Sequence, residues 1–152
     1  VQLITGRQRR CGGFTLLEVL VALIVLSIGL LGLSGLQTTG LRNNYSAFLR
    51  SQATLVTSDI LDRMRANREA AKDGDYDIAY AGTPASITCT GTCSKTQVAQ
   101  LDVELWRAYV ERLPSGEGQV SVTGGGQAEV RVRWADTRDV GNKLEVVTRA
   151  QL

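Results

Sequence analysis

Residues 12–26 read Gly-Gly-Phe-Thr-Leu-Leu-Glu-Val-Leu-Val-Ala-Leu-Ile-Val-Leu. An arginine-bearing stretch ends in two glycines, and an apolar run begins abruptly at Phe14. One carboxylate, Glu18, sits inside that run. A charge at such a depth in an apolar segment costs about 2.5–3.5 kcal/mol on insertion scales. A carboxylate there calls for a partner of opposite charge, the alternative being a side chain that snorkels to the membrane edge.

From Phe14 to Leu36 the chain carries no charge besides Glu18. As a helix this segment spans about 34 Å, enough to cross a bilayer. Arg7, Arg9 and Arg10 precede it and no acid does, so the positive-inside rule puts the N-terminus in the cytoplasm and the bulk of the chain beyond the inner membrane. A secretory signal peptide would have a shorter apolar core followed by a small-x-small cleavage site. Here the run is longer and the glycines come before it. A plain transmembrane anchor accounts for the length but not for Glu18 or the Gly13-Phe14 junction. Val1 in place of Met suggests an unusual start codon or a clipped chain.

Gly13-Phe14-Thr15-Leu16-Leu17-Glu18-Val19 resembles the class III signal of type IV pilins and of type II secretion pseudopilins. Three features coincide: the basic leader, the Gly-Phe junction and a Glu at the fifth position after it. The resemblance implies that a prepilin peptidase cleaves between Gly13 and Phe14 and that Phe14 is N-methylated. It also implies that Glu18 meets the Phe14 amine of a neighbouring subunit and sets the register of packed helices. Such a pair offsets the desolvation of both ions only when the alignment is good. Without residues 1–13, which take Cys11 with them, the formal charge moves from +2 to −1. The remainder has no basic bias toward nucleic acid or an anionic surface.

The helical pattern continues past the anchor. Leu41, Tyr45, Phe48, Leu55, Ile60 and Met64 fall at three- and four-residue steps, with Arg42, Arg50, Asp59, Asp62, Arg63 and Arg65 between them. A helix from Phe14 to about Lys72 would be about 88 Å long. Gly29, Gly32, Gly35 and Gly40 interrupt it, either to let neighbouring helices approach or to mark a stretch that melts on assembly. The run Asp59–Arg68 reads as a solvated helix face with cations near its C-terminal end, and it lacks the aromatic platform of a nucleic-acid site. It also resembles the corresponding segment of PilV-type minor pilins.

Beyond Lys72 the composition changes. Residues 72–95 are rich in turn formers, and Asp73, Asp75 and Asp77 read as solvated turn residues rather than a calcium loop. Cys89 and Cys93 are placed to form a disulfide in an oxidising compartment. The competitor, a zinc half-site, lacks two visible ligands. Val98, Leu101, Leu105, Tyr109 and Leu113 form a helical stripe over about 96–113. Three alternating runs follow, 118–123, 128–135 and 143–150, with turns at Gly124-Gly125-Gly126 and Asp139-Val140-Gly141-Asn142.

The expected architecture is α+β: a long N-terminal helix packed on a small antiparallel sheet with one further helix. The expected segments are a cleaved leader (1–13), an apolar assembly half of the helix (14–36), an amphipathic half (37–72) and a periplasmic head (73–152). The chain has no histidine, which removes the commonest general base and metal ligand. It also lacks the usual nucleophile motifs. No cofactor, metal, small-molecule substrate or nucleic-acid partner is expected. The resemblance implies a minor pilin that works with prepilin peptidase, other minor pilins and the major pilin. It would first sit in the inner membrane, then in the fibre or its tip. It would help to start the pilus and support twitching motility, adhesion or DNA uptake. A type II secretion pseudopilin is the alternative, and a membrane-anchored periplasmic enzyme the reading from a different class.

Overall fold

The computed structural model describes residues 13–136 and 139–152, the side chains of residues 139–141 excepted. The leader arginines, Cys11 and Gly12 lie outside the described residues. The stretch Asp139-Val140-Gly141-Asn142, expected as a turn, is strand instead.

The elements in chain order are α1 (Leu16–Ala66), α2 (Arg68–Lys72), α3 (Lys95–Val110), β1 (Glu117–Val122), β2 (Gln127–Asp136) and β3 (Asp139–Gln151). The architecture is the expected α+β one. The chain divides into two compact units, Val1–Leu41 and Arg42–Leu152.

In the first unit α1 runs unbroken through Gly29, Gly32, Gly35 and Gly40. Glu18 in its first turn and Arg63 and Arg65 in its last complement the helix dipole.

In the second unit α1 ends at Ala66, and the backbone of Asn67 leaves helical geometry (φ −117°, ψ 54°) before α2 restarts the chain. The Asn67 side chain donates to the Lys95 carbonyl at 2.7 Å, tying this break to the start of α3. Ser94 caps α3 in a capping box: its hydroxyl accepts from the Gln97 N–H at 3.2 Å, and the Gln97 side chain accepts from the Ser94 N–H at 2.9 Å. The sheet is an antiparallel meander in the order β1-β2-β3. Gly126, at φ +75°, closes the first turn in a conformation that favours glycine. Ile78 extends the β1 edge through two backbone bonds with Val120, of 3.0 and 2.9 Å.

One core joins helices and sheet. α1 contributes Leu49, Ala53, Ile60, Leu61 and Met64; α3 contributes Ala99, Val103, Trp106 and Val110; the sheet contributes Val120, Ala128, Val130, Val132 and Trp134. This corrects both helical stripes read from the sequence. Of the α1 set only Ile60 and Met64 are buried, and of the α3 set only Leu113, which lies past the helix end. The buried stripes mix small and polar residues, Ser46, Ala53 and Thr57 on α1 and Ala99 on α3, with large ones such as Leu49, Met64 and Trp106. Thr57 reaches the sheet itself, its hydroxyl 3.3 Å from that of Thr148.

Candidate functional site

The segment singled out by sequence starts at Gly13. Thr15 caps α1: its hydroxyl accepts from the Glu18 N–H at 3.2 Å, and its carbonyl accepts from the Glu18 and Val19 N–H groups at 3.1 and 3.3 Å. Sequence reasoning passed over this cap, although Thr-x-x-Glu before an apolar run is its signature. Glu18 therefore sits in the first turn, where the helix N-terminus favours a negative charge. It lines one side of the helix with Phe14, Ala22 and Leu23, so the structure brings the two predicted residues, Phe14 and Glu18, to a common face.

The rest of this unit shows its side chains to the outside. Phe14 is 83% exposed, and every large apolar residue from Leu16 to Leu36 is at least half exposed. Among the described residues α1 alone is long and apolar enough to cross a membrane. Three of its hydroxyls are satisfied within the helix: Ser27 donates to the Leu23 carbonyl at 2.7 Å, Thr38 to Ser34 at 3.0 Å and Thr39 to Gly35 at 3.1 Å. Backbone acceptors used in this way let those hydroxyls sit in an apolar surrounding. A Cβ added at Gly29, Gly32, Gly35 or Gly40 would meet nothing within 4 Å. The chain's own structure thus gives these glycines no steric reason, whereas close approach of another helix would.

In the head Cys89 and Cys93 form a disulfide, with Cα atoms 5.9 Å apart. The three aspartates expected as solvated turn residues are bonded instead. Asp73 accepts from Lys95 Nζ at 2.7 Å, Asp75 from the Thr96 hydroxyl at 2.9 Å and Asp77 from the Val122 N–H at 2.8 Å. They fasten the 73–77 turn to α3 and β1. Burial raises the Asp77 carboxyl above its ordinary pKa despite that bond.

The basic end of α1 is engaged within the chain as well. Arg63 pairs with Asp59 and Asp102, both at 2.9 Å, and Arg65 with Asp62 at 2.6 Å. Arg68 donates to the Leu152 carbonyl. Asp102 also accepts from the Tyr76 hydroxyl at 2.7 Å. Burial, then this carboxylate, drives the Tyr76 phenol well above its ordinary pKa.

Arg107, buried on α3, donates to the carbonyls of Tyr80 at 3.3 Å, Ala79 at 2.9 Å and Gly82 at 3.0 Å. It holds the 79–82 turn, and burial lowers its guanidinium pKa. No sequence signal marks it, because its partners are backbone atoms.

Among the described residues no group of three or more His, Cys, Asp or Glu side chains is placed to hold a metal ion. What the geometry offers is an unpaired apolar helix with a single carboxylate in its first turn, continuing into a small stapled head.

Two family comparisons meet end to end on this chain. The family described as the prokaryotic N-terminal methylation motif matches residues 8–34. The family described as type IV pilin Tt1218 matches residues 35–104. No curated protein and no solved structure matches the chain significantly. The motif implies processing by a peptidase, membrane anchoring and association with pilus components. Signal, fold and matched families together identify the chain as a type IV pilin-like protein bearing a class III, prepilin-type signal.

Proposed function

We propose that this chain is a minor pilin of the PilV kind, which helps to start a type IV pilus. Prepilin peptidase cleaves it between Gly13 and Phe14 and methylates Phe14. The Glu18 carboxylate pairs with the Phe14 amine of an adjacent subunit and fixes the stagger of the helices. Before assembly the protein is anchored once in the inner membrane, with its N-terminus cytoplasmic and its head periplasmic. In the fibre or at its tip it contacts other minor pilins and the major pilin, and so supports twitching motility, adhesion or DNA uptake.

The observation that carries this reading is the exposed apolar half of α1 with Glu18 in its capped first turn. A helix so apolar needs lipid or sister helices around it, and a carboxylate so placed needs a cation. The resemblance of Asp59–Arg68 to PilV-type segments supports the minor-pilin assignment. The match to a family described as a type IV pilin favours a pilus over a secretion pseudopilin.

Intact-mass measurement of the membrane-extracted protein tests the processing. The expected species begins at a methylated Phe14. Glu18→Ala should be processed normally yet lose cross-linking to other pilin subunits. A functional protein that retains residues 1–13, or wild-type cross-linking by Glu18→Ala, would refute the reading.

A further inference from the structure

The head presents two unlike faces. The outer face of the sheet carries an ionic ladder. Glu117 pairs with Arg133 and Lys143, Glu129 with Arg131 and Arg149, and Glu145 with Arg131. These charges satisfy one another and suit contact with water. The helix layer on the opposite side ends in large apolar side chains: Phe48 is 56% exposed, Leu55 63%, Leu105 50% and Tyr109 43%.

These residues follow a pattern. On α1, Tyr45, Phe48, Gln52, Leu55 and Asp59 recur at steps of three and four; Val98, Leu101, Leu105 and Ala108 on α3 and Arg112 just past its end do the same. A mean repeat of 3.5 residues is the seam by which one helix seats another. Both seams point outward because a different stripe of each helix, Ala53-Thr57-Ile60-Met64 and Ala99-Val103-Trp106-Val110, already fills the core. Between them runs a groove floored by Val56, with Phe48, Gln52, Tyr109 and Arg112 at one end and Leu55, Asp59 and Arg63 at the other.

The charges at its two ends differ. Arg112 stacks over the Tyr109 ring at 4.7 Å, and among the described residues no carboxylate pairs with it. At the other end two carboxylates, Asp59 and Asp102, share the single cation Arg63. The ends are separated by the α1 stretch from Phe48 to Asp59, about 16 Å of helix.

We propose that this groove seats an α-helix of a different pilin-like subunit. The incoming helix carries an apolar 3.5-residue seam, an acid opposite Arg112 and a base opposite Asp59 and Asp102, about three turns apart. A second copy fits less well. Three turns from Asp59 its own α1 seam carries Phe48 rather than a base, and its other seam carries no acid. The proposal rests on the assembly reading above and adds α3 to the surfaces that build the assembly.

A photo-crosslinking phenylalanine analogue tests it, introduced singly at Ile24, Leu105 or Val147 in the full chain, in cells that build the pilus. Ile24 reports on assembly through the apolar helix, Leu105 on the exposed α3 seam that borders the groove and Val147 on the outer sheet face. The expected result is capture of another pilin-like subunit from Ile24 and Leu105 and little from Val147, with the Leu105 product mapping to a helix of the captured subunit. Arg112→Glu should reduce the Leu105 product about two- to fivefold, the size of one partly exposed ion pair, and leave the Ile24 product unchanged. The inference is overturned if Leu105 yields no more than Val147 while Ile24 cross-links, if its product is the chain's own dimer, or if Arg112→Glu changes nothing. Silence from Ile24 as well would overturn the assembly reading together with it.

Discussion

Gly118 shows how much a single residue can be set by tertiary structure that its neighbours in sequence do not announce. A Cβ placed there would lie 2.5 Å from Cη2 of Trp106, a ring that is itself fully buried and donates its indole N–H to the Val56 carbonyl at 3.1 Å. The ring cannot retreat without breaking that bond, so Gly118→Ala is expected to destabilise the head by about 1–3 kcal/mol. Gly124→Ala, where a Cβ meets nothing within 4 Å, should change stability by less than about 0.5 kcal/mol. Urea melts of the two variants check the contrast, and equal midpoints would refute it. In sequence Gly118 reads only as the start of a strand, just as Arg107 reads as one more helical cation. Thr15 and Glu18 are different. Their geometry depends on residues three positions apart, and a local signal can be seen locally.

The elements were legible in kind and displaced in detail. The long apolar run from Phe14 marks where α1 lies, and the alternation about Val130, Val132 and Trp134 marks a strand. Which side of each helix faces inward was not legible, because the largest apolar residues suggest one stripe and the sheet accepts another. Ala53, Thr57 and Ala99 lie in the interior beside Leu49, Ile60 and Trp106, whereas Phe48, Leu55 and Leu105 are left outside. The sheet's outer face makes its own prediction. The Lys143 and Arg133 partners of Glu117, and the Arg131 and Arg149 partners of Glu129, hold both carboxyls below the ordinary 4.5. An acid whose pKa is depressed by folding stabilises the fold above its unfolded value and loses that contribution as pH falls through the folded value. The raised Asp77 carboxyl acts in the opposite sense and offsets part of the loss. The thermal midpoint of the head is therefore expected to be level near neutral pH and to fall once pH drops below about 4.5. The fall should be shallower in Glu129→Gln and at high salt, which screens exposed pairs. A midpoint that rises on acidification would contradict the ladder's role.

At the scale of the molecule the two units follow different physical rules. Among the described residues every buried apolar residue lies beyond Leu41, beginning with Leu49. The apolar segment has the Ser27 and Thr38 hydroxyls bonded within its own helix and glycines at which a Cβ would meet nothing, which suits surroundings supplied by other molecules. This division was partly legible, since the run from Phe14 is apolar on all sides whereas the later helix alternates with charges. The place where dependence on the core begins was not, because Tyr45 and Phe48 look like core residues and remain exposed. A fragment of residues 42–152 should therefore keep the fold. It should unfold in one cooperative transition with its disulfide intact, and its midpoint should match that of the head in the detergent-solubilised full chain within a few degrees, the shift that about 1 kcal/mol gives in a domain of this size. Circular dichroism and calorimetry of the two proteins check this. A fragment that melts broadly, or far below the full chain, would mean that the apolar helix stabilises the head. The independence of the two units would then fail.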